Sequence, residues 1–153
     1  MATTTAMCNS FKQQLLQGKH SFESAGGHTF YLALVKSSPS GTYGASTTNY
    51  SDVTGNSDEA TGTGYTAGGN SLTNNGVALA TGVAYVDFAD STWSSATITA
   101  SAAIIYNTTT DGGTGTDDAV ATLDFGGDKT STNGDFVVQF PTADSSTAVI
   151  RIS

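Results

Sequence analysis

Apolar and polar residues alternate most regularly between residues 83 and 106. Residues 83–88 (Val83-Ala84-Tyr85-Val86-Asp87-Phe88) make one arm, and residues 96–106 make a second. In the second arm Ala96, Ile98, Ala100, Ala102, Ile104 and Tyr106 share a face, with Thr97, Thr99, Ser101, Ala103 and Ile105 on the other. A period of two over that length, rich in β-branched and aromatic residues, predicts a strand with one buried face. Residues 89–95 are polar and carry the only Trp, Trp93, so the two arms read as an antiparallel hairpin joined by a loop.

The same pattern, taken along the chain, predicts further strands. Residues 1–9 read as a flexible polar arm. Asn9 or Ser10 can cap a short helix over residues 11–17, with Gly18 as its stop and Phe11, Leu15 and Leu16 as its apolar stripe. Under three turns long, this helix must dock on something, either its own sheet or a neighbouring subunit. After Gly26-Gly27, residues 29–35 form a strand apolar on both faces, as a central strand is. The polar, Gly-punctuated stretch from Thr42 to Asn75 predicts short irregular strands together with a surface loop. Residues 77–80, 119–125, 135–140 and 148–152 are further strands, separated by small-residue turns at 107–118 and 126–134. Residues 83–88 and 120–125 echo one another, but one pair does not make an array.

The chain has 153 residues, enough for one domain with a real core. Its net charge of -8 is unevenly placed: no Lys or Arg lies between Lys36 and Lys129, while ten Asp or Glu do. Such a surface repels phosphate, which excludes a nucleic-acid-binding role and disfavours anionic membranes. Cys8 is alone, so no intrachain disulfide forms. No apolar run reaches membrane-spanning length, and the first residues carry no secretory signal.

Asp117-Asp118, Asp124 with Asp128, and Asp87 with Asp90 could pair for acid–base work, but each lies in or beside an expected turn that favours Asp on its own account. Residues 111–118 and 124–135 offer oxygen ligands without the spacing of a calcium loop. His20 and His28 fall on different elements and give no zinc site. The glycines of residues 61–69 lack the Lys-Ser/Thr ending of a phosphate loop and read as turn formers. Trp93 is either a stacking or anchoring residue for a partner or a cover for the sheet end. No catalytic, cofactor-binding or metal-binding residue is assigned, and the chain reads as a non-enzyme.

Several segments together resemble a family of small virion structural proteins of tailed bacteriophages. They are residues 2–12 (with Met7-Cys8-Asn9-Ser10-Phe11-Lys12), Phe30-Tyr31-Leu32-Ala33-Leu34, residues 62–69, residues 86–100 (with Asp90-Ser91-Thr92-Trp93-Ser94-Ser95) and residues 123–136. The resemblance implies a particle component without catalytic residues or cofactors. Its expected place is the outside of the head, as a decoration or cement protein bridging major capsid subunits. A tail or fibre component is the alternative, and a calcium- or carbohydrate-binding sandwich a more distant one.

The expected fold is a mostly antiparallel β-sandwich or jelly-roll-like domain over residues 23–153, preceded by an arm and short helix over residues 1–22. That leading segment is the expected docking element on the phage major capsid protein. Self-association as a dimer or trimer on the shell is expected to multiply weak contacts.

Overall fold

The computed structural model describes residues 2–109 and 116–153. The chain is mostly β, with antiparallel strands in two sheets and a short helix near its N-terminus, a β-sandwich-like arrangement. In chain order the elements are β1 (Ala6–Met7), α1 (Asn9–Leu16), β2 (Phe30–Lys36), α2 (Ser51–Gly55), β3 (Gly62–Thr63) and β4 (Asn70–Ser71). They continue with β5 (Asn74–Ala80), β6 (Val83–Phe88), β7 (Ser91–Asn107), β8 (Asp118–Val138) and β9 (Ile150–Ile152). One sheet has the order β1-β8-β7-β2-β4 with β3 beside β7, and the other the order β5-β6-β9.

The hairpin expected between residues 83–88 and 96–106 does not form. β6 pairs with β5 and β9, whereas β7 pairs with β2, β3 and β8, so the two arms belong to different sheets. The link between them is only Ala89-Asp90, pinned by the Ala89 N–H on the Thr73 carbonyl and by the Phe140 N–H on Asp90 Oδ1. Ser91 to Ser95, expected as loop, is the start of β7. Ser91 and Trp93 are buried and Thr92 and Ser94 exposed, so the period of two already runs there. It slips once at Ser95, a bulge with φ +51, and resumes at Ala96. Hydroxyl residues that look like a turn in the sequence are the solvent face of a strand.

β8 corrects the sequence in the same way. The expected turn over residues 126–134 is instead continuous strand along β7. The irregularity is absorbed by bulges: residues 125–128 stand opposite Ser101 alone, with Gly126 and Gly127 at φ +69 and +131. The echo between residues 83–88 and 120–125 therefore has no counterpart in the topology, since the first lies in β6 and the second in β8.

The N-terminal segment is ordered against the body and not a loose arm. β1 pairs with β8 at Ala121 and Thr122, and Thr3 bridges to Tyr43. Cys8, fully buried, is the N-cap residue without a side-chain cap bond, so Asn9 and Ser10 stand inside α1 and not before it. The entry of the helix is set by the Cys8 N–H on the Val120 carbonyl and by the Asn9 N–H, the first donor of the helix, on the Ala45 carbonyl. At the other end Gly18 has φ +72, and the Gly18 and Lys19 N–H groups reach the Leu15 and Gln14 carbonyls, a Schellman stop as the glycine foretells.

Phe11 packs edge-on to Phe22 (5.9 Å between centroids), Phe22 stacks on Phe30 (4.4 Å), and Phe88 joins Phe30 to Phe140. Each such ring contributes about 1.5–3 kcal/mol by leaving water. This aromatic file ties the helix to both sheets. The stretch from Thr42 to Asn75 contains the short strands expected there and one turn of helix, α2, that was not.

Candidate functional site

The acidic pairs singled out in the sequence do not converge. Asp124 Oδ1 accepts the Gly126 N–H, a local turn bond at the bulge. Asp90 ties Phe140, as above, and Asp87 is not in a turn at all: it lies in β6, almost fully buried. Burial pushes the Asp87 carboxyl up, against the pull of the Phe88 and Val149 backbone N–H groups, and its Oδ2 lacks a well-formed hydrogen bond. Burial and the adjacent Asp118 raise Asp117. Residues 111–115 of the first candidate calcium loop lie outside the described residues, and among the described residues no group of three or more His, Cys, Asp or Glu could hold a metal.

Two carboxylates that no motif singled out do gather partners. Asp58, fully buried, accepts the Tyr43 hydroxyl (2.6 Å), the Ser40 and Gly41 N–H groups (2.9 and 2.7 Å) and the Ser40 hydroxyl, and pairs with Lys36 Nζ at 3.1 Å. Burial alone pushes its carboxyl up, but the bonds from Tyr43, Ser40, Gly41 and Lys36 together outweigh burial and hold it well below the usual carboxylate range. Glu59 accepts the Tyr50 and Tyr65 hydroxyls (2.6 and 2.8 Å) and the Gly68 N–H (2.6 Å). Burial first, then the neighbouring carboxylates, push the Tyr43 phenol up to about 12 and raise Tyr50 and Tyr65 as well, so all three remain donors. With their acceptor sites occupied by donors of the chain itself, these carboxylates act as clamps that fix the long loop onto β2. The only signal in the sequence was the spacing of Tyr43, Tyr50 and Tyr65 around Asp58-Glu59.

His20 and His28 meet, though on no metal. Both present Nδ1 at 2.9 Å to the same Asn107 amide nitrogen, and His20 Nε2 reaches Gln14 Oε1 at 2.9 Å. An amide that donates to both rings requires both Nδ1 atoms to be unprotonated. Burial, chiefly, lowers His20 to about 4. Trp93 is buried between Tyr65 and Phe136, which removes it as a stacking platform for a sugar. The glycines of residues 61–69 serve turns and close approach: Gly69 has φ +76, and a Cβ there would stand 1.8 Å from the Leu32 carbonyl oxygen.

Among the described residues, a groove of about 700 Å³ lies between β8 and the segment leading into β9. Leu123, Phe125, Phe136, Val138, Phe140 and Val149 line it, and Leu123, Phe125 and Val149 are only partly buried. Asp124, Lys129 and Asp135 stand among the lining residues as charged groups. β1 covers the outer side of β8 only at Ala121 and Thr122, with Thr5 Oγ1 accepting the Asp124 N–H. Beyond that point no strand among the described residues pairs with the outer side of β8. The site therefore combines an apolar trough with an open strand edge, and Val137, half exposed, lies along it. That combination suits the capture of an extended segment or a protein surface.

The segment expected to dock, residues 2–22, is largely committed elsewhere. Cys8, Phe11 and Phe22 are in the core, and Leu16 is its one large hydrophobic left exposed. Comparison with known proteins returned no matching family model, no matching curated protein and no matching solved structure.

Proposed function

We propose that this chain is a structural protein of a tailed-phage particle, most directly a decoration or cement protein that binds the assembled major capsid shell from outside. The observation that carries the reading is the groove beside β8, an apolar trough bordered by an open strand edge on a two-sheet body. The resemblance of residues 2–12, 30–34, 62–69, 86–100 and 123–136 to phage virion proteins supports the same reading. An acidic surface, net -8, suits a place away from packaged DNA.

The mechanism is mechanical and needs no cofactor. A protein that binds the assembled shell and not its free subunits stabilises the shell by mass action, in proportion to the logarithm of its concentration over Kd. The contact lies at the groove in this reading, and the first 22 residues serve to hold the domain together.

Co-sedimentation of the purified chain with undecorated heads tests the proposal. Saturable binding to heads, weakened by Val137→Asp in the groove wall, is the expected outcome. Binding to isolated tails but not to heads would move the chain to a tail or fibre role, and binding to neither would reject the particle reading.

A further inference from the structure

β5 is the outermost strand of the three-stranded sheet. Its register shifts between Asn74 and Val77, where Phe22 and Ser24 lie against it, and from Val77 to Ala80 its free side carries none of the usual protections. No charged residue occurs between Glu59 and Asp87, so the whole strand and its turn are neutral, and no proline interrupts them. Val77 is 56% exposed and Leu79 is 74% exposed. The edge of β8 differs in kind, since it bears Asp128, Lys129 and Asp135.

Backbone geometry says which groups face outward. Thr81 and Gly82, at φ +51 and +80, form a two-residue turn of the primed type between Ala80 and Val83. In such a hairpin the flanking pair, Ala80 with Val83, exchanges hydrogen bonds, and so by alternation does Ala78 with Tyr85. Val77 and Leu79 then turn their N–H and C=O groups to the open side. Their side chains share a face with Ala84 and Ile152 through the register Leu79↔Ala84↔Ile152, and Ile152 is also half exposed. This row continues the face that buries Val86 and Ile150 further down, so it is an apolar surface that runs out past its own core.

We infer that β5 pairs with β5 of a second copy, antiparallel, about a two-fold axis through Ala78. Val77 then faces Leu79 of the other copy in a hydrogen-bonded pair, and Leu79 faces Val77. Ala78 meets its own counterpart in a non-bonded pair. The two small sheets become one continuous sheet, and the exposed apolar rows meet across the axis. Self-complementarity selects a second copy as occupant: Val77 and Leu79 flank Ala78 symmetrically, so a two-fold axis matches each outward N–H, C=O and exposed apolar side chain with its counterpart. No charge on this edge stands between them, while the net -8 of each chain leaves a repulsion that salt screens. The contact is short against the roughly 800 Å² per partner of a standard interface, so the dimer is weak alone and gains from being tethered on a shared surface. The inference stands apart from the particle reading, because it concerns the chain alone in solution.

Two measurements test it. In sedimentation velocity over a concentration series, the chain is expected to form a dimer that strengthens as salt rises from about 0.01 M to about 0.15 M. Leu79→Lys should weaken that dimer at least about tenfold by replacing an apolar cross-strand contact with Val77 and setting two like charges diagonally across the axis, with thermal unfolding unchanged because the side chain is exposed. For the register, Ala78→Cys should form a covalent dimer under mild oxidation far faster than Leu16→Cys, an exposed control, since Cα atoms of a non-bonded pair lie about 4.5 Å apart, within disulfide reach. Cys8 is buried and stays silent. A chain that remains monomeric, a dimer indifferent to Leu79→Lys, or an Ala78→Cys variant that cross-links no faster than the control overturns the inference.

Discussion

Asp58 and His20 show how much of this molecule's stability is held by single buried ionisable groups. Asp58→Asn keeps the shape but removes the charge that Lys36, Tyr43 and two backbone N–H groups converge on. A loss of about 2–4 kcal/mol in urea unfolding is expected, in the range for a buried charge network that loses one member. The pH dependence follows from the directions of the shifts. His20 sits at about 4 when folded and near 6.5 when unfolded, so between those values the unfolded chain binds more protons. Stability is therefore full above about 6.5 and falls as the pH drops toward 4, by up to ~3 kcal/mol. Asp58, depressed in the fold, adds its own loss only below about 4, the range of an unfolded carboxylate. Asp87, raised by burial, acts in the opposite sense there, since acid relieves its charge. Unfolding curves at pH 7.5 and 5 check this, and His20→Gln should flatten the difference between them. None of this was legible in advance: the clamp joins β2 to a loop twenty residues on, and the two histidines meet only because Asn107, at the far end of β7, reaches both.

The strands were legible as periods of two, and their partners were not. Residues 29–35 read as a central strand because both faces are apolar, and β2, at Phe30–Lys36, is one, lying between β7 and β4. Gly18 read as a helix stop and is one. Where Ser, Thr and Gly form the exposed side of a long strand, however, the sequence looks like a turn, and the first residues of β7 and the middle of β8 were read that way. A bulge shifts the alternation by one residue and hides the continuity that hydrogen bonding makes plain. The β5–β6 turn gives a test at this level. Thr81 is β-branched at φ +51, a region Asn tolerates far better, so Thr81→Asn should raise stability by about 0.5–1 kcal/mol in thermal or urea unfolding. Gly69→Ala should do the reverse. A methyl at φ +76 against the Leu32 carbonyl oxygen forces β4 off β2, at a cost of ~2 kcal/mol or more.

Taken whole, the chain is a β-sandwich-like body whose N-terminal segment is built into the core and whose open surfaces are strand edges. Deleting residues 2–22 removes Cys8, Phe11 and Phe22, and each buried Phe is worth about 3–5 kcal/mol on truncation against a total stability of about 5–15. The truncated chain is expected to be unfolded by circular dichroism, so that deletion cannot serve as a test of docking, and point changes in the groove take its place. The fold class was accessible to the sequence because alternation is a local property. The groove was not, because it sets residues 123–131 of β8 beside residues 147–149, which are distant in the chain and are brought together by the strand pairings of both sheets. The proposed role on a phage shell is tested most directly by an image of intact particles at a resolution that traces this chain. Its density is expected outside the head, with the groove beside β8 turned onto joints between capsid subunits. Density confined to the tail, or a head-bound chain whose groove faces open solvent, would contradict it.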